Sequence, residues 1–578
     1  MKQSRSKPIH LIPLAMVFFA VFASAESQKI AQDLRGLRGD SSIDVIVQYR
    51  VNPQQSHFDR VISRGGVVKR DLRGALKGAA FSIKAKSLSA LSDDPDVLYV
   101  SPDRPLNSTW ANTGTTDYYD QAVLAPYAWS MGLDGSGIGV AVIDSGITNN
   151  GDLTQSNHRG SRIVYAQSWV TNQVTYGPYG HGTHVAGILA GNGTNSTGPS
   201  YFHTFTGIAS NANIVDLKVL DGTGTGTDSA VIAAIQQAIN LKNVYNIRVI
   251  NLSLGRPVFE SYQLDPLCQA VEAAWNAGIV VVVAAGNDGR NNTANTNGYG
   301  TITAPGNDPY VITVGAMKPM GTADRSDDLI ASYSSKGPTL FDHIAKPDIV
   351  APGNQVISML SSPYATIVSM FPQNIVPMNA YSYNGGTSPS SQYFTLSGTS
   401  MATPVVSGAV ALMLQQNPSL APDQVKARLM KTAYKTFPQY SSVTDPTTGI
   451  TYTSQYDVFT VGAGYLDIQA ALSNTDLAPA TIGSAQSPAV GVDASGNVYL
   501  VQGSSVIWGN SVIWGNSVVW GNSVIWGTNV SGQSVIWGSS VVWGNSTTQG
   551  FSVIWGSSVI WGSSATDQNA LSSAIGEN

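Results

Sequence analysis

The stretch that decides the fold is Leu396–Pro404, LSGTSMATP, followed at once by the apolar run Val405–Leu414, VVSGAVALML. Four hydroxyls, on Ser397, Thr399, Ser400 and Thr403, lie here among small residues. A helix start needs only one such cap, and a linker is not followed by so hydrophobic a run. The backbone N–H of Ser400 is expected at a helix N-terminus, which favours an anion. Gly398 and Ala402 would let a substrate backbone approach. Serine alone is a weak nucleophile. It needs a base, usually histidine, and the base needs an orienting acid.

Working outward, His181 and His184 lie in GHGTHVAGILAG (180–191), a second small-residue helix start. Asp144 ends the apolar stretch IGVAVID (138–144), just before SGI. Similar apolar runs occur in VINLSL (249–254), IVVVVAA (279–285) and VITVGA (311–316). Near-continuous runs of this kind suit parallel strands buried on both faces. Between them lie helical patterns such as DSAVIAAIQQAINLKN (228–243), with Asp228 or Ser229 as cap. Residues 120–475 are therefore expected to be α/β, a mostly parallel sheet with helices on both faces. Such sheets gather functional groups at the carboxyl ends of their strands.

Taken singly, each element is ordinary: a strand-end Asp caps turns, and SGTS can be a plain N-cap. Their order, VIDSGI, then HGTHVAG, then SGTSMATPVVSGAVAL, resembles the subtilisin family of serine proteases. The resemblance covers roughly 120–472 and includes GIASNANIVDLKVLDGTGTGT (207–227), NLSLG (251–255), KPDIVAPG (346–353) and GAGYLDIQAAL (462–472). It implies Ser400 as nucleophile, His181 as general base, Asp144 as orienting acid and His184 as structural. It implies the side chain of Asn287, in VVVVAAGNDG (280–289), as an oxyanion donor, with the Ser400 N–H as the second. Ser253, Leu254, Gly255, Ala284, Ala285 and Gly286 match substrate-lining segments; they are small or apolar, which favours a large apolar side chain before the scissile bond. The implied substrates are proteins or peptides, and the chemistry requires no cofactor. The loop 191–207 falls where many relatives bind structural calcium, with Asp152, Asn192 and Asn195 as candidate ligands; loop asparagines also make turns, and both readings stand. Residues 354–396 depart from the family as a long insertion: a lid, a substrate wall or a surface loop.

The flanks carry their own signals. Lys2, Arg5 and Lys7 precede LIPLAMVFFAVF (11–22) and ASA (23–25), which reads as a signal peptide over 1–25 and predicts a secreted chain. Residues 26–106 show a small α+β pattern and resemble the family's inhibitory propeptide, an intramolecular partner. An exposed linker is expected in SPDRPLNSTWANTGTTD (101–117), with the domain boundary set at 107–119. Residues 1–106 carry 16 Lys and Arg against 10 Asp and Glu, which leaves the rest of the chain acidic. A basic pro-region is expected to dock on that acidic body, and nucleic acid is not an expected partner.

Cys268 is the single cysteine, so no intramolecular disulfide forms, and its helical context predicts a buried structural thiol. The region 476–578 contains SVIWGN-type repeats (505–562) that hold eight of the twelve tryptophans, mostly six residues apart. Six is even, so on a strand every Trp faces one side. A β-rich tail is expected, either packed on itself or binding another chain or a cell-surface polymer.

Two rivals to the protease reading are weaker. A lipase-type elbow, G-x-S-x-G, lacks its last glycine here, since Gly398-Thr399-Ser400-Met401-Ala402 ends in alanine. A catalytically dead binding homologue is disfavoured because all four catalytic positions hold the required residue types.

Overall fold

The computed structural model describes residues 29–108, 117–155, 160–171, 173–445, 448–492, 498–501, 525–526 and 535–536. The signal-like segment 1–25 and almost all of the Trp repeat lie outside these residues. Within the repeat, 525–526 pair antiparallel with 535–536. Among the described residues no helix is long and apolar enough to cross a membrane.

Strands β1 (Ser42–Tyr49), β2 (Val67–Asp71), β3 (Gly78–Lys84) and β4 (Val97–Pro102) form an antiparallel sheet in the order β2-β3-β1-β4. Period-two alternation sorts their side chains. Val45, Val47 and Phe81 join Phe58 and Leu91 in a small core of their own, while Ile46 and Ala80 join the central core. This sheet docks on the rest of the chain: Gln48 donates to the Leu264 carbonyl at 2.7 Å and Arg70 to the Trp169 carbonyl at 2.8 Å. A short strand β5 (Pro105–Ser108) follows.

The centre is an eight-stranded sheet. It comprises β6 (Gly139–Asp144), β7 (Ile163–Ser168), β8 (Asn213–Lys218), β10 (Ile247–Leu252), β12 (Val280–Ala284), β13 (Ile312–Lys318), β14 (Leu329–Ile330) and β15 (Ile349–Pro352). Its order is β14-β13-β12-β10-β6-β8-β7, with β15 also on β13. Only β14 runs antiparallel. Every residue of β6 and β12 is buried, as their unbroken apolar runs predict. Each buried Val or Ile contributes about 1.5–3 kcal/mol by area. The helices His181–Ala190 and Thr399–Gln416 pack on each other and on the sheet; Asp228–Tyr245 and Pro266–Asn276 form a second such pair. Cys268, in the last of these, is fully buried, and its thiol donates to Asn307 Oδ1.

Strands β9 (Thr225–Thr227) and β11 (Leu254–Gly255) lie outside the central sheet, and β5 runs antiparallel between them. The region expected to be an exposed linker is thus structured on both sides: Ser101, Arg104 and Asp117 are buried. The boundary placed at 107 cuts β5. The central body also runs past 475: Ala485 is buried, its N–H donates to Asp423, and Lys426 reaches Ser487 Oγ at 2.9 Å.

The insertion after residue 353 is a packed sheet and not a loose loop. Its strands β16 (Val356–Met359), β17 (Ile375–Pro377) and β18 (Pro389–Leu396) form a sheet in the order β16-β18-β17. A core of Phe205, Ile357, Val376, Tyr381 and Tyr393 fastens it to the 191–207 loop. It also braces the helix that begins at His181: Ser358 Oγ donates to the His184 carbonyl at 2.8 Å, and Ile367 N–H to the Tyr179 carbonyl at 3.2 Å.

Gly187 lets that brace approach. A Cβ there would strike Ser358 Oγ and lie 2.8 Å from Met359 Cγ. Alanine is the better helix former by about 1 kcal/mol, yet overpacking costs about 1–3 kcal/mol. We therefore expect Gly187→Ala, in a Ser400→Ala background that prevents self-digestion, to lower the urea midpoint. A raised midpoint would show that the insertion does not pack on this helix.

Candidate active site

The register of the central sheet sets the site. Asn251 of β10 pairs with Val142 of β6 and with Val282 of β12. Two residues further along lie Asp144, Ser253 and Ala284, so these three sit level at the carboxyl ends of neighbouring strands, about 4.8 Å apart strand to strand.

Asp144 and His181 meet. The imidazole Nδ1 lies 2.8 Å from one Asp144 carboxylate oxygen and 3.0 Å from the other, and both side chains are almost wholly buried. The Ser145 N–H donates to the same carboxylate at 2.7 Å. Ser145 Oγ accepts the Gly182 N–H at 3.0 Å, which ties the helix start to the strand end. A side chain at 182 would press on Asp144 Oδ1 and the Gly146 carbonyl, so glycine permits the approach. With Nδ1 committed to the carboxylate, Nε2 is left buried and without a hydrogen-bond partner among the described residues. The second histidine is different. His184 bonds the Phe394 carbonyl at 3.0 Å through Nε2, and burial pushes its pKa down to about 3, so it stays neutral.

Ser400 stands in the first turn of Thr399–Gln416, where an N–H has no acceptor within its own helix. Its hydroxyl donates to the Ser253 carbonyl at 3.0 Å rather than to His181. Ser253 Oγ donates in return to the Ser400 carbonyl at 2.8 Å. The helix that carries Ser400 is thereby pinned to the strand end beside Asp144. Asn287 is held from one side only. Its Oδ1 accepts from Thr399 N–H at 3.0 Å and Thr399 Oγ1 at 2.9 Å, while Nδ2 is buried without a partner among the described residues. Fixing the oxygen leaves the amide N–H groups as the available donor beside Ser400.

A family profile described as "Subtilase family" matches residues 135–464. The chain belongs to the subtilase family. It is 36% identical over 411 residues to "Serine protease AprX" of Bacillus subtilis (strain 168), covering 68% of this chain and 83% of that one. It is 34% identical over 379 residues to "Subtilisin E" of the same strain, covering 65% and 80%. Among solved structures it resembles fervidolysin from Fervidobacterium pennivorans, described as a keratinolytic enzyme related to subtilisin. That likeness has a TM-score of 0.54 at 21% identity over 82% of this chain and 67% of that one, and speaks to the fold alone. The subtilase is accordingly a serine-type endopeptidase.

In this subtilase Leu254 and Gly255 pair with Ser108 and Asn107 of β5, so a segment of its own chain lies on the edge expected to take substrate. Ala284, Ala285 and Gly286 run beside it, and Thr303 packs against both glycines. A Cβ at Gly255 would meet Thr303 Oγ1 at 2.6 Å, and one at Gly286 would meet Thr303 Cγ2 at 2.7 Å. Thr303 and Thr399 were not singled out by the sequence. The excess of hydroxyls around Ser400 was the only trace of Thr399.

Asp152, Asn192 and Asn195 do come together, but as a hydrogen-bonded turn. Asp152 Oδ1 accepts from Asn195 N–H at 2.7 Å and Oδ2 from the Tyr393 hydroxyl at 2.8 Å. Its carbonyl accepts from Arg162 Nη2 at 2.7 Å. Asn192 Oδ1 accepts from Thr194 N–H and Oγ1, and Asn195 donates to Asn150 and Gln392. Calcium takes about six to eight oxygen ligands. Here one carboxylate already has its donors and a guanidinium occupies the same turn, so these residues do not fit the ion. Among the described residues no group of three or more His, Cys, Asp or Glu is arranged so that it could hold a metal ion.

Thr399 is the residue that aims Asn287. Thr399→Val removes its hydroxyl bond to Asn287 and the acceptor of the Gly286 N–H. Each such bond is worth about 1 kcal/mol. We expect kcat to fall about tenfold, the equivalent of about 1.4 kcal/mol, with KM little changed. An unchanged kcat would show that Asn287 needs no such support.

Proposed function

We propose that this subtilase is secreted as a self-inhibited zymogen and cleaves peptide bonds by a triad of Asp144, His181 and Ser400. Ser400 Oγ turns from the Ser253 carbonyl to His181 Nε2, gives up its proton there and attacks the scissile carbonyl carbon. The new oxyanion accepts hydrogen bonds from Asn287 Nδ2 and the Ser400 N–H. Collapse of this intermediate breaks the C–N bond, and His181 returns the proton to the leaving amine. Water then releases the acyl group from Ser400 through the same base and the same donors. Asp144 holds the imidazole in the tautomer whose Nε2 accepts.

The observation that carries this reading is the buried Asp144–His181 pair, at 2.8 Å and 3.0 Å, with Nε2 unpartnered among the described residues. The zymogen part is supported by β5. An extended segment running antiparallel on β11 makes the main-chain bonds a substrate would make. Further support comes from Asp103, which accepts from the Ser229 N–H at 2.7 Å and caps the helix Asp228–Tyr245. On this reading residues 26–108 occupy the cleft until the chain is cut in the segment that follows. Secretion is supported by the basic-then-apolar pattern of residues 1–25.

A fluorophosphonate probe should label the secreted protein at Ser400, and Ser400→Ala should abolish labelling. Mass spectrometry should find residues 26–108 removed from the wild type and retained in cis in Ser400→Ala. Labelling that survives the substitution contradicts the triad; identical N-termini in the two proteins contradict self-processing.

A further inference from the structure

A buried ionic cluster lies beside the substrate edge. Arg256 bonds Asp228 through Nε at 2.9 Å and 3.1 Å, and Asp265 through Nη2 at 2.8 Å and 2.9 Å. Glu260 adds a third carboxylate. The body alone therefore sets three carboxylates against one guanidinium. The second cation comes from the N-terminal segment. Arg104 grips Glu260 with both terminal nitrogens, one of them at 2.6 Å from Oε2, and bonds Asp33 at 3.1 Å. Its guanidinium lies 4.8 Å from the centroid of the Phe259 ring. Arg104 is 3% exposed and Glu260 5% exposed, so the pair is desolvated.

The position of Arg104 in the chain matters as much as its partners. Its carbonyl accepts the Asp228 N–H at 2.9 Å, and the next residue begins β5. A peptide running along β9 and β11 as β5 does would carry the side chain preceding its paired stretch to the same spot. Once the N-terminal segment has left, Glu260 faces a cleft without its cation. An unpaired carboxylate in poorly solvated surroundings favours a replacement. A carboxylate with both oxygens presented, beside an aromatic face, suits a planar guanidinium better than a compact ammonium.

We propose that Glu260 and Phe259 form a remote subsite of the processed enzyme. It takes an arginine side chain immediately N-terminal to the four substrate residues that pair with the edge. The proposal rests on reading the N-terminal segment as a substrate-like inhibitor that is removed.

The test uses the secreted, processed enzyme and peptides of the chain's own sequence 103–112, DRPLNSTWAN. The peptides carry arginine, lysine or the neutral isostere citrulline at the second position. We expect kcat/KM for the arginine peptide to exceed that for citrulline by about tenfold, with lysine between them and the ratio falling as salt rises. The ratio should approach one in Glu260→Gln, and Glu260→Lys should favour a glutamate peptide instead. The wild-type comparison needs no variant to fold. Equal rates for arginine and citrulline, or a ratio that survives Glu260→Gln, overturn the subsite and leave the zymogen reading intact. Failure of an enzyme that reacts with fluorophosphonate to cleave any of these peptides overturns the substrate-like reading of the segment, and the subsite with it.

Discussion

The parallel register of β6, β10 and β12 ends three buried strands at one level, and the proposed chemistry depends on that alignment. Asp144, Ser253 and Ala284 are the residues at that level. Asp144 receives the first residue of one helix, and the Ser253 carbonyl and hydroxyl receive the first turn of another. Strands buried on both faces cannot slip by one residue without turning their apolar side chains and the Asp144 carboxylate to the wrong side. The cost of holding a carboxylate and an imidazole out of water is therefore met by the packing of the whole sheet. Neither group is held by a flexible loop.

The elements around this centre restrain it further. The insertion, through β16 and Ile367, fixes the helix that carries His181. Thr399 fixes Asn287 by its oxygen, which holds the amide N–H groups in place for the donor role proposed for them. The N-terminal sheet docks through Gln48 on the Leu264 carbonyl and is followed by β5, which lies along β11. Tyr393 and Arg162 satisfy the turn around Asp152 with side chains.

Much of this was readable from the chain itself, for local reasons. A strand that ends in Asp before Ser-Gly, and two helix starts made of small residues, are short-range patterns. They led to the α/β sheet, and they single out Asp144, His181, Ser400 and Asn287 as the candidates at its carboxyl end. What escaped was set by distant segments landing together. Nothing near Asp152 announces Tyr393, 241 residues away, so its loop read equally well as a calcium site. Nothing near Arg104 announces Glu260, 156 residues on, so a polar, proline-containing stretch read as linker although its arginine is buried. Thr303 and Thr399 act only through neighbours brought by the fold. The end of the body was placed too early because the polar residues after 475 gave no sign that Ser487 and Ala485 would seal the buried Lys426 and Asp423.

On the proposed mechanism Ser400 and His181 act as one unit over the level strand ends, although here the hydroxyl points to Ser253. A crystal structure of the fluorophosphonate adduct tests it most directly. We expect phosphorus on Ser400 Oγ, one phosphoryl oxygen accepting from Asn287 Nδ2 and the Ser400 N–H, and His181 Nε2 turned to the adduct with Nδ1 still on Asp144. An adduct whose oxygen avoids Asn287, or an imidazole whose Nε2 remains out of reach of the Ser400 oxygen, would contradict it.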